Sequence, residues 1–338
     1  MSRLTISLRG GMVGCRVTHK KEKKFKMIKA ITIELTNGES LTMTLATPDT
    51  SLGFAIVDCD GIGPGSATLN GSEWVTVAGG SYESSHIPKR TINLALRFLP
   101  TALSESVADI RRKTYKWFPL TKKIRLTFFH EDYNGKSISY YIDGYVERNE
   151  PDIWSENEGC NISIVCFDPY FKSTKDETGN FNQIIPLFYF PFPNERRPLP
   201  PEDDGSQGHP FPISQRKKYD RKEVENNSTV DTGGIFTIEA TGTIKNPIIF
   251  SDTTLQSMVF NYTMHEGESI IIDTRDGHKN IYRNDANKTN MVKYLQPNSE
   301  FITFVPGINV IGINCDNAIE DLIFMNVSYV VTPIHMGV

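Results

Sequence analysis

The chain has 338 residues, of which 38% are hydrophobic and 22% charged, a composition typical of a soluble globular protein with two or three domains. Its formal net charge of −4 is unevenly distributed, because residues 1–26 carry +7 and leave −11 for residues 27–338. An acidic body argues against sequence-specific binding of nucleic acid by that body.

Membrane insertion and secretion are also disfavoured by the sequence. No segment approaches the roughly eighteen consecutive apolar residues that a membrane span needs, and arginines interrupt the N-terminal segment where a secretory signal would lie. The cysteines are odd in number and form no CxxC pair, which favours reduced thiols in a cytosolic environment: Cys15, Cys59, Cys160, Cys166 and Cys315. We therefore expect a protein that is made in a cytoplasm and has no membrane partner.

The first strand pattern begins at Met27, directly after the basic segment. ITIELT and SLTMTLA flank Asn37-Gly38, which predicts a β-hairpin with positive φ values in its turn. Residues 1–26 are interpreted as an extension, either disordered or read from an upstream start codon. A functional arm that contacts an acidic neighbouring subunit is the alternative.

A glycine-rich segment, residues 53–72, contains GIGPG and resembles a phosphate-binding loop only superficially. It lacks the Gly-Lys-Ser/Thr ending and no helix pattern follows it, so we expect a flexible loop. Helical spacing of residues on one face then predicts one amphipathic helix over 104–117. These residues are Leu103, Val107, Ile110, Thr114 and Trp117. Ser104 is the predicted N-cap, and the basic run 111–113 is interpreted as a solvated face.

The segment 140–171 is the most informative part of the chain. It contains a strand YYIDGYVE, a turn with Trp154, and a second strand that ends in CFDPYF. Alternation places Cys160, Ile162, Ile164 and Cys166 on one face, and Asp143-Gly144 predicts a kink or bulge. This combination resembles the end of the N-terminal domain of phage distal tail proteins, so residues 27–171 are expected to form a β-rich, ring-forming domain with one helix.

The C-terminal half is divided by its composition. Proline density over 186–212 predicts a Pro-rich connector at residues 172–230. Short strands with regular turn signals predict an antiparallel β-sandwich at residues 231–338. DTGGIFTIEATGTIKNPII and ESIIIDTRDG resemble the galectin-like C-terminal domain of many distal tail proteins. The fold class is therefore mainly β.

Motifs for catalysis, cofactors and metals are missing from the sequence. There is no G-x-S-x-G elbow, H-E-x-x-H or Cys/His quartet. Flanking carboxylates at Asp58 and Asp60 are expected to blunt Cys59. The clusters at 265–268 and 273–278 are interpreted as polar turns. We therefore predict no enzyme, no cofactor, and no catalytic, cofactor-binding or metal-binding residues.

The resemblance implies a structural hub of a phage tail tip within the virion. Such hubs form a homo-oligomeric ring, a hexamer in the family, that joins the tail tube protein to the tail-associated lysin or baseplate hub protein. The resemblance further implies receptor-binding proteins as partners of the C-terminal sandwiches. The alternative is a carbohydrate-binding adhesin that recognises host glycans, for which residues 231–338 offer Tyr262, Tyr282 and Tyr294 but no tryptophan.

Overall fold

Two separate cores organise the part of the chain that the structure describes. The computed structural model describes residues 28–45, 52–74, 76–100, 105–131, 135–152, 158–186, 214–218, 221–316, 322 and 324–338, with backbone only for 182–186 and 214–218. One cluster of buried apolar side chains comes from residues 28–171 and the other from residues 181–331. We call the two parts the N-terminal unit and the C-terminal unit.

The N-terminal unit is built on one antiparallel sheet of nine strands. Its main path runs in the order β2-β1-β7-β8-β9-β6-β3, and β10 and β24 join at the side. The bounds are β1 Ile28–Leu35, β2 Ser40–Thr44, β3 Phe54–Asp60, β6 Arg90–Phe98, β7 Lys123–Glu131, β8 Ser137–Asp152, β9 Gly159–Cys166, β10 Phe171–Ser173 and β24 Ile334–His335. Strands β4 (Thr68–Glu73) and β5 (Gly80–His86) form a separate hairpin.

Sequence alternation accounts for this sheet. The predicted first hairpin is present, but of the two turn residues expected to have positive φ only Gly38 does, at +85°, and Asn37 does not. Cys160, Ile162, Ile164 and Cys166 are all buried on one face of β9, as predicted. The bulge lies elsewhere than expected, since β7 and β8 pair regularly through Asp143-Gly144 and the register shifts between Val146 and Arg148. Gly144 instead allows close approach, because a Cβ there would lie 2.6 Å from Ile164 Cγ2.

The predicted helix is present but begins later than expected. Helix α1 spans Val107–Trp117, and its N-cap is Ser106, whose hydroxyl accepts a hydrogen bond from the backbone N–H of Asp109 at 3.3 Å. Ser104 lies outside the described residues. Ile110 and Thr114 are buried against the sheet. No described helix is long and apolar enough to cross a membrane.

The C-terminal unit is an antiparallel β-sandwich, as predicted. A five-stranded sheet in the order β11-β23-β15-β20-β21 and a four-stranded sheet in the order β14-β22-β17-β18 bury side chains in one shared core. The bounds are β11 Glu177–Asn180, β14 Arg221–Asn226, β15 Ile235–Ala240, β17 Ile248–Ser251, β18 Ser257–Val259, β20 Ser269–Asp273, β21 Asn280–Arg283, β22 Gly307–Asn314 and β23 Met325–Val331. Strand β16 (Ile244–Lys245) pairs with β19 (Thr263–Met264), and a 3-10 turn spans Val292–Tyr294.

The segment predicted as a connector, residues 172–230, contributes strands to both units. Strand β10 pairs with β8, β11 pairs with β23, and β14 pairs with β22. Strands β12 (Asn182–Pro186) and β13 (Ser214–Lys218) pair with each other, and most of the Pro-rich run between them lies outside the described residues. Local patterns did not reveal β11 and β14, because their partners lie more than eighty residues away along the chain.

Candidate functional site

The described side chains were searched for metal-binding clusters and for reactive thiols. No three His, Cys, Asp or Glu residues in that part of the chain could hold a metal ion together. Burial, with smaller contributions from Asp58 and Asp60, raises the pKa of Cys59 to about 12. Burial likewise raises the pKa of Cys160 to about 11 and that of Cys166 to about 12. These thiols stay protonated at neutral pH and serve as packing groups.

The β4–β5 hairpin is the most exposed ordered element in the N-terminal unit. Every residue in both strands is exposed. Leu69 is 72% exposed and Tyr82 is 68% exposed, and Trp74 and Val77 near the turn are also exposed. The hairpin is held by its own backbone pairs and by cross-strand hydroxyls such as Ser72 and Ser81, 2.8 Å apart. Its strands are mostly polar, but these four exposed apolar and aromatic side chains make it a candidate contact for another protein surface.

Helix α1 presents a charged outer face. Lys116 pairs with Glu39 at 3.0 Å, and Lys113 pairs with Glu105 at 2.6 Å. Arg112 reaches Asp109 at 3.2 Å and remains mostly exposed. Arg112 is therefore solvated, as interpreted for the run 111–113, whereas Arg111 is half-buried and its Nε is buried without a hydrogen-bond partner in the described part of the chain.

The C-terminal tail crosses from the C-terminal unit back to the N-terminal sheet. Strand β24 pairs with β10, so His335 lies opposite Phe171. On the other side, the N–H of Ile334 donates to the hydroxyl of Ser228 at 2.9 Å. The last residue also participates, since the N–H of Val338 donates to the carbonyl of Ile62 at 3.0 Å. The tail thus lies between the units and hydrogen-bonds to both.

Arg90 anchors this tail, and only 8% of the residue is exposed. Its guanidinium donates to the carbonyls of Pro169 at 2.7 Å and Gly61 at 2.8 Å, and also to those of Gly63 and Met336. The guanidinium carbon lies 4.8 Å from the centre of the Phe171 ring. Desolvation lowers the pKa of Arg90. The glycine-rich loop predicted to be flexible is therefore held by a buried cation, and its carbonyls point at an arginine rather than a phosphate.

Acidification is expected to loosen the tail through His335. Its ring packs edge-on against Tyr140 at 4.7 Å, and burial lowers the pKa of His335. The neutral ring therefore contributes stability above the ordinary pKa of about 6.5, and that stability is lost as the pH falls toward the lowered folded value. Protection factors for hydrogen exchange at the amides of 334–336, corrected for the intrinsic pH dependence of exchange, should fall over this range. We expect His335→Gln to remove this fall, whereas the exposed His86→Gln control should keep it; an unchanged profile in His335→Gln would exclude this histidine as its source.

The tyrosines considered for glycan binding are engaged within the C-terminal unit. The Tyr262 and Tyr294 rings pack at 4.9 Å, and the Tyr262 hydroxyl donates to Glu268 at 3.1 Å. Lys288 lies 5.7 Å from the centre of the Tyr282 ring. None of the three lines a described pocket.

Part of the C-terminal unit matches a known protein family. Residues 227–329 are similar to the family model described as the siphovirus-type tail component, C-terminal domain. The resemblance to phage distal tail proteins found in the sequence is thereby confirmed. None of the curated proteins matches the chain.

Solved structures extend the likeness beyond that domain. The Dit protein of phage SPP1, described as a paradigm of the hub adsorption apparatus in phages infecting Gram-positive bacteria, matches with a TM-score of 0.57 at 12% identity. The match covers 90% of this chain and 98% of that protein, so the fold is shared across both units. A chain of the phage P2 baseplate in its activated conformation with Ca matches with a TM-score of 0.39 at 10% identity, covering 90% of this chain and 97% of that one.

Proposed function

We propose that this chain is the structural hub of a phage tail tip and resides in the virion after assembly in the host cytoplasm. Copies of the chain close into a ring, hexameric as the family resemblance implies, that joins the tail tube protein to the tail-associated lysin or baseplate hub protein. The C-terminal units project from the ring and support receptor-binding proteins. The observation that carries this proposal is an exposed hairpin bearing Leu69, Trp74 and Tyr82 on a fold shared with the Dit protein of phage SPP1.

A closed ring needs two different complementary faces on each copy. The β4–β5 hairpin supplies one face, because Leu69, Trp74 and Tyr82 expose apolar and aromatic surface of the composition enriched at interface centres. The second face includes the outer side of helix α1, where Arg112 and neighbouring charged groups remain accessible. Burying the hairpin against the next copy removes its apolar area from water and thereby stabilises the ring.

Tyr82→Ala is expected to weaken ring assembly without unfolding the chain. The side chain is 68% exposed in the single copy, so its loss leaves the cores intact. Loss of one aromatic anchor costs about 2 kcal/mol at an interface, which corresponds to about thirtyfold weaker association at each contact. Concentration-dependent mass by light scattering measures the shift.

Leu255→Ala is the matched control for this experiment. Leu255 is 88% exposed on the C-terminal unit, away from the hairpin, so its truncation should leave assembly unchanged. Equal assembly by the wild type and by Tyr82→Ala would show that the hairpin is not part of the interface. The hub proposal would then be tested by the mass of the wild-type assembly.

A further inference from the structure

A cleft between the two units has the features of a binding site. It encloses about 500 Å³, within the range of about 300–1,000 Å³ that is usual for small-ligand pockets. One wall comes from β8 and the segment 167–172, and the other comes from the β20–β21 turn and residues 231–233. The C-terminal tail contributes Thr332 and Ile334. The tail is hydrogen-bonded to the N-terminal unit through Arg90 and β10, and to the C-terminal unit through Ser228. These bonds hold the two walls of the cleft in place.

Aromatic rings line the N-terminal wall. Tyr141, Phe167 and Tyr170 all border the cleft. Phe167 is 69% exposed, although its edge packs against Tyr145 at 6.0 Å. The Tyr141 ring has Arg125 at 4.3 Å from its centre, which fixes its orientation. An exposed ring in a concave site is suited to stack against a flat, partly apolar ligand.

The charged groups that border the cleft are largely neutralised by partners within the chain. Arg275 binds Asp273 through two hydrogen bonds of 2.9 and 2.6 Å. Lys172 pairs with Asp168 at 2.8 Å, and Lys279 pairs with Asp276 at 3.0 Å. Such pairs orient donors and acceptors before a ligand arrives, and they leave no excess positive charge to attract an anion.

We propose that this cleft binds a short neutral saccharide. A sugar ring offers an apolar face for Phe167 or Tyr170 and an edge of hydroxyl groups for Asp276, Arg275 and His278. A phosphate or carboxylate ligand would need unpaired cations, whereas Lys172 and Arg275 in this lining are each paired with an aspartate. A protein partner would more commonly cover a broad surface of about 800 Å² than fill an enclosed cleft. This site uses both units, whereas the glycan-binding site considered from the sequence involved only tyrosines within residues 231–338.

The experiment applies the full-length chain to an array of soluble hexose and N-acetylhexosamine oligosaccharides, both neutral and anionic, and then titrates each binder by calorimetry. We expect a neutral oligosaccharide to bind. Phe167→Ala should weaken that binding about tenfold through loss of stacking, and Asp276→Asn should weaken it through loss of a hydroxyl acceptor. Both side chains are exposed, so both variants should fold. Leu255→Ala removes an exposed apolar side chain outside the cleft and should leave the affinity unchanged.

Three results would overturn this assignment. The first is that no oligosaccharide binds the full-length chain. The second is a binder whose affinity is unchanged in Phe167→Ala and in Asp276→Asn, which would place its site elsewhere. The third is capture of another tail protein that is lost in both variants while no sugar binds, which would make the cleft a protein-docking site. None of these results bears on ring formation, so the hub proposal is tested separately.

Discussion

Replacing Arg90 with methionine is expected to release the C-terminal tail and to lower the free energy of unfolding by about 3 kcal/mol. The guanidinium donates to four carbonyls from three separate segments, and methionine can donate to none of them. The carbonyls of Gly61, Pro169 and Met336 would then have to find other donors or lose their hydrogen bonds. Chemical denaturation measures the stability, and hydrogen exchange over 334–338 measures the release.

Arg148→Met is the matched control for the Arg90 variant. Arg148 lies on β8 in the same sheet, is 60% exposed and pairs only with Glu150 at 3.4 Å. Surface ion pairs contribute little, so a change below about 0.5 kcal/mol is expected. If Arg90→Met and Arg148→Met had the same small effect, the buried guanidinium would not be the group that holds the tail.

Phe304→Ala is expected to destabilise the C-terminal unit by about 4 kcal/mol, because it leaves a cavity at the centre of the sandwich core. Phe304 is fully buried, and its ring stacks on Phe236 at 5.7 Å with an angle of 22° between the rings. Its backbone also pairs with that of Thr232, and its carbonyl accepts a hydrogen bond from the side-chain amide of Asn226 at 3.0 Å. Distortion at Phe304 would therefore spread to the segments that carry Thr232 and Asn226. Denaturant unfolding followed by circular dichroism measures the loss.

Phe167→Ala makes the same chemical change at an exposed position and serves as the control. We expect it to alter stability by less than about 1 kcal/mol, since it leaves no cavity. A loss for Phe304→Ala that is no larger than the loss for Phe167→Ala would contradict the placement of Phe304 in the core.

Local sequence patterns predicted much of the fold. The Asn37-Gly38 hairpin, the alternation in β9 and the apolar spacing of α1 are each determined by residues close together in the chain. The N-cap of α1 was predicted two residues too early, because both Ser104 and Ser106 are suitable caps and only the structure shows that Ser106 binds the N–H of Asp109.

Long-range contacts could not be predicted in the same way. Arg90 reaches Met336 across 246 positions, and no local pattern marks that contact. The cleft likewise brings a turn at 275–278 next to the CFDPYF segment. The sequence of each segment is typical of an ordinary strand end and does not indicate that the two are neighbours. The available sequence signal for this contact was an arginine at the start of a buried strand, together with a glycine-rich loop.

The measurement that tests the hub proposal most directly is the absolute mass of the full-length chain by light scattering, with negative-stain images of the same species. We predict a closed ring with a central opening and the mass of a hexamer. A two-fold dimer would contradict this prediction, because a self-complementary contact cannot close around a lumen. A chain that stays monomeric at every concentration, with or without the tail tube protein, would contradict it as well.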